Sequence, residues 1–418
     1  MSRRAARAGT LRTVVVGAGL AGTRVALELR AAGYPGDIVM VGNERHPPYD
    51  RPPLSKDILS GKRDDGALLF AADHFANQRI ELRLGVRVAA IDRTRHCVAC
   101  DDGSTLAYTT LILATGLRSR PLYSLDPGER LYHLRTLDDA LALRERLRAG
   151  PRVVVVGGGL LGLEVAATAR GMGCSVTVIE RHPALVYQTV APVVGDYVAA
   201  LHRRHGVDIR TGVTPRAITV RNGNDAARVV VELSDGTFVD ADIVVAATGS
   251  IVNAELAEAC GLEVDDGIIV NAQGRTSDPA IYAVGDVARH FNALLQRTIR
   301  VESWHNAQNQ PAAVARAIVG DARPYAELPW FWSDQYDMNL QIIGYPSDWD
   351  RVIVRGDPRG PRFTVLYLQD ERLVAANTIN NGRDIHVARE CIAQRHRMQV
   401  ARLGDRRQPF ELEAMVSA

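Results

Sequence analysis

Cysteine is scarce in this sequence. Cys97, Cys100, Cys174, Cys260 and Cys391 are the five in 418 residues, too few and too scattered for a disulfide framework or a metal site. Cys97 and Cys100 form a C-x-x-C, yet they lie in RHCVACDDG, an alternating strand running into a turn, with no second pair. The pattern is that of a reduced, cytoplasmic protein. An excess of either charge is missing too. The formal net charge is +2 with both signs interspersed, which argues against a general nucleic-acid binder. Long apolar runs are absent, and no stretch approaches the length that spans a bilayer. The start, MSRRAARAGTLR, is basic, but the apolar segment after it, TVVVGAGLAG, is broken by glycine and leads into a helix pattern. It lacks the uninterrupted run and cleavage site of a signal peptide, so Arg3 and Arg4 read as a solvated tail. What remains is a soluble globular composition, 46% hydrophobic and 23% charged, long enough for two or three domains.

What is present is a repeat. TVVVGAGLAGTRVALELRAAG reads as a buried strand, a turn Gly17-x-Gly19-x-x-Gly22, and a helix, with a second strand DIVMV at 37–41. Residues 152–180, RVVVVGGGLLGLEVAATARGMGCSVTVIE, follow the same plan around Gly157, Gly159 and Gly162. In this motif the first glycine makes a tight turn, the second lets backbone approach a pyrophosphate, and the third lets helix pack on strand. The diphosphate then sits at the positive helix N-terminus. The second halves match as well: DDGSTLAYTTLILATG (101–116) and LSDGTFVDADIVVAATG (233–249) each run from a D-G turn to an apolar strand ending in Ala-Thr-Gly. The chain therefore carries two copies of one dinucleotide-binding unit, the second inserted after the first Ala-Thr-Gly. Two units imply two dinucleotides. Past the second turn, Glu180 ends its strand, where an acid accepts ribose hydroxyls and repels a 2′-phosphate; this favours NAD, although Arg181 follows directly.

One loop stands apart. PPYDRPPLSK (47–56) holds four prolines in ten residues and ends on a single ammonium group. Proline excludes it from a helix interior or central strand, so the chain is stiffened around Lys56.

The two glycine turns, the two Ala-Thr-Gly strands and TSDPAIYAVGD (276–286) resemble the two-dinucleotide flavoprotein reductases related to glutathione reductase. RPPLSK (51–56), GLEVAATA (162–169), VESWHNAQNQ (301–310) and ELPWFWSDQYDMNLQIIG (327–344) narrow the likeness to FAD-dependent NADH:ferredoxin reductases of bacterial oxygenase systems. These include reductase components of putidaredoxin-type systems and of aromatic-ring dioxygenases. The likeness spans about residues 11–370 in order. It implies an α/β fold class: two Rossmann-like domains, the NAD domain inserted in the FAD domain, plus a small α+β C-terminal domain. The expected boundaries are 10–120 and 246–328 for FAD, 121–245 for NAD, and 329–418 for the C-terminal domain.

The same resemblance implies residue roles. FAD contacts are expected from Gly17, Gly19, Leu20, Ala21 and Gly22 at the first turn, and from Ala114, Thr115 and Gly116. Arg51, Val88, Arg135, Asp286 and Trp304 are further FAD positions. The adenosine ribose falls to Asn43 or Glu44, the usual acid being absent at 43. Lys56 is expected beside the flavin N5, paired with Glu164 of the second glycine helix. A cation there stabilises the negative charge of a reduced flavin, and the opposite charge keeps it ionised. NAD contacts are expected from Gly157, Gly159, Leu160, Leu161 and Gly162, from Glu180, and from Thr248 and Gly249. Trp332 is expected to approach the flavin edge, one of Trp330 and Trp332 being core.

The implied activity is hydride transfer from NADH to FAD N5, followed by single electrons to a [2Fe–2S] ferredoxin that supplies a ring-hydroxylating dioxygenase or a haem-thiolate monooxygenase. The terminal oxygenase is an indirect partner, neither nucleic acid nor membrane is one, and the chain is a monomer or weak homodimer. No cysteine lies between Gly17 and Gly85, so electrons leave without a protein disulfide. Arg289, Arg297 and Arg300 are docking candidates, and the tail helix with RHRMQVARLGDRR a lesser one. An NADH oxidase or quinone reductase is the rival enzyme reading. An apoptosis-inducing-factor-like flavoprotein is the rival binding reading, for which an import segment and a larger C-terminal insertion would be expected.

Overall fold

The computed structural model describes residues 11–71, 73–122, 125, 128–221, 228–321, 323–346 and 349–416, and the basic start with Arg3 and Arg4 lies outside them. Along the chain come β1 (Arg12–Val16), α1 (Leu20–Ala31), β2 (Asp37–Gly42), β3 (Ile80–Leu84), β4 (Thr110–Leu113) and α2 (Leu137–Leu147). The plan recurs in β5 (Arg152–Val156), α3 (Leu160–Gly171), β6 (Ser175–Glu180), α4 (Pro192–Arg204), β7 (Asp208–Thr211) and β8 (Ile243–Ala246). After these come β9 (Ile281–Ala283) and α5 (Trp304–Ile318). Last are β10 (Trp330–Gln335), β11 (Met338–Gly344), β12 (Arg351–Gly356), β13 (Phe363–Gln369), β14 (Arg372–Ile379) and α6 (Gly382–Gln394). Contacts divide the chain into two compact units. One takes the residues up to Asp50, Leu68–Arg118 and Val252–Glu327; the other takes Arg51–Ala67, Ser119–Ile251 and Leu328 onward.

The first unit is built on a parallel sheet in the order β9-β4-β1-β2-β3. Its central strand reads RTVVV, and Val14 and Val15 are wholly buried, as a parallel strand covered on both faces demands. One face carries α1 and α5, through Val15, Val25, Leu29 and Val314. The other carries an antiparallel meander of Val88–Asp92, Cys97–Cys100 and Thr105–Ala107, through Val14, Val98, Leu106 and Leu111.

The second unit repeats this design. Its parallel sheet runs β7-β6-β5-β8, edged by Leu131–Tyr132. A second antiparallel meander, of Pro215–Arg221, Arg228–Leu233 and Phe238–Ala241, covers one face through Val154, Val229, Leu233 and Val244. The same unit holds an antiparallel sheet, β10-β11-β14-β13-β12. Six consecutive residues of β13, FTVLYL, are buried in it.

Two local expectations change. LRLGVRVAAI (82–91) alternates in sequence like one strand, but Gly85 adopts φ 70° between β3 and the strand that starts at Val88, a conformation that ends the ladder. RHRMQVARLGDRR is not one continuous helix either, since only Val400–Leu403 within it is helical. Helix α6 stops at Arg395, which is left-handed at φ 54°, and the segment beyond it buries Met398 and Leu403. The C-x-x-C lies in a single strand running into a turn, as its sequence reads, and a spacing of three along a strand turns the two thiols to opposite faces.

Candidate active site

In the first unit, β1 ends at Gly17, whose N–H donates to Val41 at 2.8 Å. Gly17 has φ 115°, and a Cβ on it would stand 2.2 Å from the Ala114 carbonyl oxygen. A Cβ on Gly22 would stand 1.9 Å from the Gly17 carbonyl oxygen. No side chain fits at either position, so helix, turn and β4 close against one another. Gly19 is the reverse case: a Cβ there meets nothing within 4 Å. The open space lies over the N-terminus of α1, where Leu20, Ala21 and Gly22 begin the helix with no side-chain cap and no acid in the first turn. Unpaired helical N–H groups and the helix dipole both favour an anion there. The residues present fit a dinucleotide diphosphate.

Two further segments of this unit converge on the turn. Gly285, at φ 79°, lies so close that a Cβ would come 2.6 Å from the Ala21 Cβ, which sets Asp286 beside the start of α1. The Gly285 N–H donates to the Gln310 side-chain oxygen at 2.7 Å. Trp304, the first residue of α5, donates its indole N–H to Asp50 at 2.7 Å. Thr115 and Asn253 exchange bonds, the Thr115 hydroxyl to the Asn253 carbonyl at 2.6 Å and the Asn253 amide to the Thr115 carbonyl at 2.9 Å. At the end of β2, Asn43 is exposed and Glu44 half-buried. The Glu44 carboxylate accepts the Tyr49 hydroxyl at 2.5 Å. Gly85 and Val86 donate their N–H groups to Glu44 and Gly42 at 2.9 and 3.0 Å, and the strand starting at Val88 follows.

The second unit reproduces the turn. Gly157 has φ 115° and a Cβ would be 2.2 Å from the Ala247 carbonyl oxygen; one on Gly162 would be 2.1 Å from that of Gly157; Gly159 again faces open space. Leu160 and Leu161 open α3, and Leu161 is exposed. Glu180 closes the far side. It is buried, accepts the Gly158 N–H at 2.7 Å on one oxygen and the His182 N–H at 2.7 Å on the other. This carboxylate thus shapes the turn from within. Arg181 bonds the His182 ring at 3.2 Å, and that ring stacks on Tyr187 at 5.1 Å. Thr248 reaches the Arg120 carbonyl at 3.3 Å.

The proline-stiffened loop belongs to this unit. Pro52–Ser55 form a 3-10 turn with proline at its first positions, where the missing N–H is no loss. The turn ends on Lys56, whose ammonium donates to Glu164 at 2.7 Å and to the Pro52 carbonyl at 3.2 Å. The pair is sheltered, with side-chain exposures of 21% for Lys56 and 9% for Glu164. Sheltered charges need more than each other, because desolvation offsets much of their attraction. Glu164 receives the Ser55 hydroxyl at 2.5 Å on the oxygen that meets Lys56, and the Ser333 hydroxyl at 2.7 Å on the other. Thr168 pins the Ser55 carbonyl at 2.7 Å. Lysine occurs at two positions in the chain, 56 and 62, all other formally basic positions besides histidine being arginine. A compact ammonium suits this socket, where a planar guanidinium would not. Arg51 donates to the Arg135 carbonyl, and Arg135 precedes a capping box in which Thr136 and Asp139 start α2.

Several expected residues serve other ends. Arg289 pairs with Asp265 at 2.6 Å; Arg300 is 11% exposed and pairs with Asp266 and Glu302, so these two present little unspent charge for docking. Trp330 and Trp332 are both half-buried and stack on each other at 5.1 Å. Residues missed from sequence include Ser55, Ser333, Gln335 and His202. The signal for two of them was the alternation in WFWSDQ, which sets Ser333 and Gln335 on one face of β10.

Comparison with known proteins places this geometry. Residues 11–311 match the pyridine nucleotide-disulphide oxidoreductase model, and residues 330–413 match the reductase C-terminal model. The ferredoxin–NAD(+) reductase component of the anthranilate 1,2-dioxygenase system of Burkholderia cepacia is 50% identical over 386 residues, covering 91% of this chain and 93% of the relative. Putidaredoxin reductase of Pseudomonas putida is 42% identical over 404 residues, covering 95% of each. The reductase in the crystal structure of the covalent putidaredoxin reductase–putidaredoxin complex superposes with a TM-score of 0.91 at 41% identity, covering 96% of this chain and 97% of that one.

Proposed function

The chain belongs to the pyridine nucleotide-disulphide oxidoreductase family, and we propose that it is an NADH-dependent, FAD-containing ferredoxin reductase of a bacterial oxygenase system. The observation that carries this reading is the 50% identity to a dioxygenase reductase component along nearly the full length of both chains. FAD and NAD(H) are the cofactors, and FAD when bound supplies the conversion of a two-electron donor into single electrons. The partner is a [2Fe–2S] ferredoxin met through a small, transient interface. The protein works in the cytoplasm as a monomer or weak homodimer, with a ring-hydroxylating dioxygenase or a haem-thiolate monooxygenase downstream.

The chain's own residues divide the work. The first turn, from Gly17 to Gly22, receives the FAD diphosphate at the start of α1, with Asp286 and Trp304 as further FAD positions. Asn43 is the better ribose contact, since it is exposed while the Glu44 carboxylate already accepts Tyr49. The second turn receives the NADH diphosphate. Glu180 sets its shape and selects against a 2′-phosphate. Lys56, held by Glu164, supplies positive charge toward the flavin. The domain limits follow the same assignment, with FAD residues in 10–120 and 246–328, NAD residues in 121–245 and a C-terminal domain from 329.

Steady-state kinetics with NADH tests the acceptor. Turnover of cytochrome c, a one-electron dye, should rise at least about 10-fold on adding a [2Fe–2S] ferredoxin from an oxygenase system. Equal rates with and without ferredoxin would defeat the reading in favour of an oxidase or quinone reductase.

A further inference from the structure

The hydrogen bonds that reach Glu164 extend beyond the ion pair. Ser333 of β10 donates its hydroxyl to Glu164 at 2.7 Å. Gln335, two residues on and on the same face, donates its amide to the Ser333 oxygen at 2.9 Å. The Gln335 carbonyl oxygen then meets the Nε2 of His202, from α4, at 2.8 Å. Ser333 and His202 are wholly buried, and Gln335 nearly so.

Elementary donor and acceptor counting gives this chain one direction. An ionised carboxylate only accepts, so Ser333 must donate to it. The Ser333 oxygen is then an acceptor and must face the Gln335 NH2. The Gln335 carbonyl therefore faces His202, whose Nε2 must carry the proton. Burial lowers the His202 pKa, in keeping with a neutral ring, and its Nδ1 has no hydrogen-bond partner among the described residues. Every proton along the line points toward Glu164. Among the described residues, Ser333 provides the hydrogen bond to the carboxylate oxygen that does not face Lys56.

We propose that Ser333 and Gln335 are positioning residues of the reductase: a one-way hydrogen-bond chain from His202 holds Glu164 as an oriented carboxylate and thereby fixes the charge and place of Lys56. This rests on the assignment of Lys56 to the flavin chemistry, but its first consequence concerns the lysine itself. Without the Ser333 hydroxyl, one oxygen of a buried carboxylate loses a hydrogen bond of the charged, stronger kind. Glu164 is then free to turn away from its present orientation, which loosens its grip on Lys56 and exposes the amine. Gln335 acts one bond further away and its loss acts in the same direction, more weakly.

The scarcity of lysine supplies the test. Competitive acylation of the FAD-loaded enzyme, quantified by mass spectrometry, compares Lys56 with Lys62, which is exposed and serves as internal reference. In Ser333→Ala the Lys56-to-Lys62 labelling ratio should rise about 10-fold, and in the near-isosteric Gln335→Met about 3-fold. Stopped-flow reduction by NADH should slow by similar factors at saturation, with the NADH dissociation constant unchanged. If Ser333→Ala does not fold, the Gln335→Met ratio decides alone. Labelling ratios equal to wild type would overturn the proposal. The ratio is read without any acceptor, so it stands or falls separately from the ferredoxin assignment.

Discussion

The two glycine turns agree to within a few tenths of an ångström in the contacts a Cβ would make, yet the residues at their strand ends differ. Val16 pairs with Val41 in one copy and Val156 with Ile179 in the other, so Gly42 and Glu180 hold the same position. At Gly42 a Cβ would stand 2.6 Å from that of Ala18. At Glu180 there is a buried carboxylate holding two backbone N–H groups. Two residues past the third glycine, the first helix carries Arg24, in an i,i+4 pair with Glu28 at 2.7 Å. The second carries Glu164 in its web of donors. Backbone alone closes each turn, and this the two copies share; the side chains at the strand end and on the helix are where they differ.

Substitutions at matched positions can break this comparison. The largest effects belong to the third glycines, where a methyl group would collide with backbone rather than with a yielding side chain. Gly22→Ala should yield a colourless protein. Gly162→Ala should stay yellow and weaken NADH binding by at least about 100-fold. Loss of FAD from the Gly162 variant, or normal NADH affinity, would show that the turns are not separate sites; visible spectra and stopped-flow titration read both.

Next in size is the matched helix pair. Lys56→Met leaves Glu164 sheltered without its cation and should cost about 2 kcal/mol, less than a fully buried pair because Lys56 keeps some solvent contact. Glu164→Leu added to Lys56→Met should recover most of that stability but none of the slowed flavin reduction. Arg24→Met, at the position matching Glu164, should cost under about 0.5 kcal/mol. Denaturant melts compare the three, and equal costs at the two helices would erase the distinction.

The smallest effect expected is at the strand end. Glu180→Ala should narrow the preference for NADH over NADPH by about 10-fold. An unchanged ratio of kcat/KM values would confine Glu180 to shaping the turn.

Much of the fold was legible because the signals were local. The glycine spacing, the valine runs and the Ala-Thr-Gly strand ends each state their own geometry, and the duplication confirmed one copy by the other. The antiparallel meanders were foreshadowed only by the D-G turns. The break at Gly85 was hidden, since a single glycine inside an apolar alternation does not reveal its φ. The pairing of Lys56 with Glu164 came from family likeness, and the structure brings the two within 2.7 Å. The alternation in WFWSDQ could set Ser333 beside Gln335, but their links to Glu164 and His202 were out of reach because those partners lie 169 and 133 residues away, and no periodicity joins a serine on one strand to a glutamate on a distant helix.

The central claim is that one chain holds FAD and NADH so that electrons pass between them. Anaerobic titration of the purified protein with NADH tests it most directly, followed by the visible absorbance of the flavin. The account predicts a yellow protein that bleaches rapidly and in proportion to the NADH added. A protein that takes up no FAD, or one whose yellow colour survives excess NADH, would contradict it.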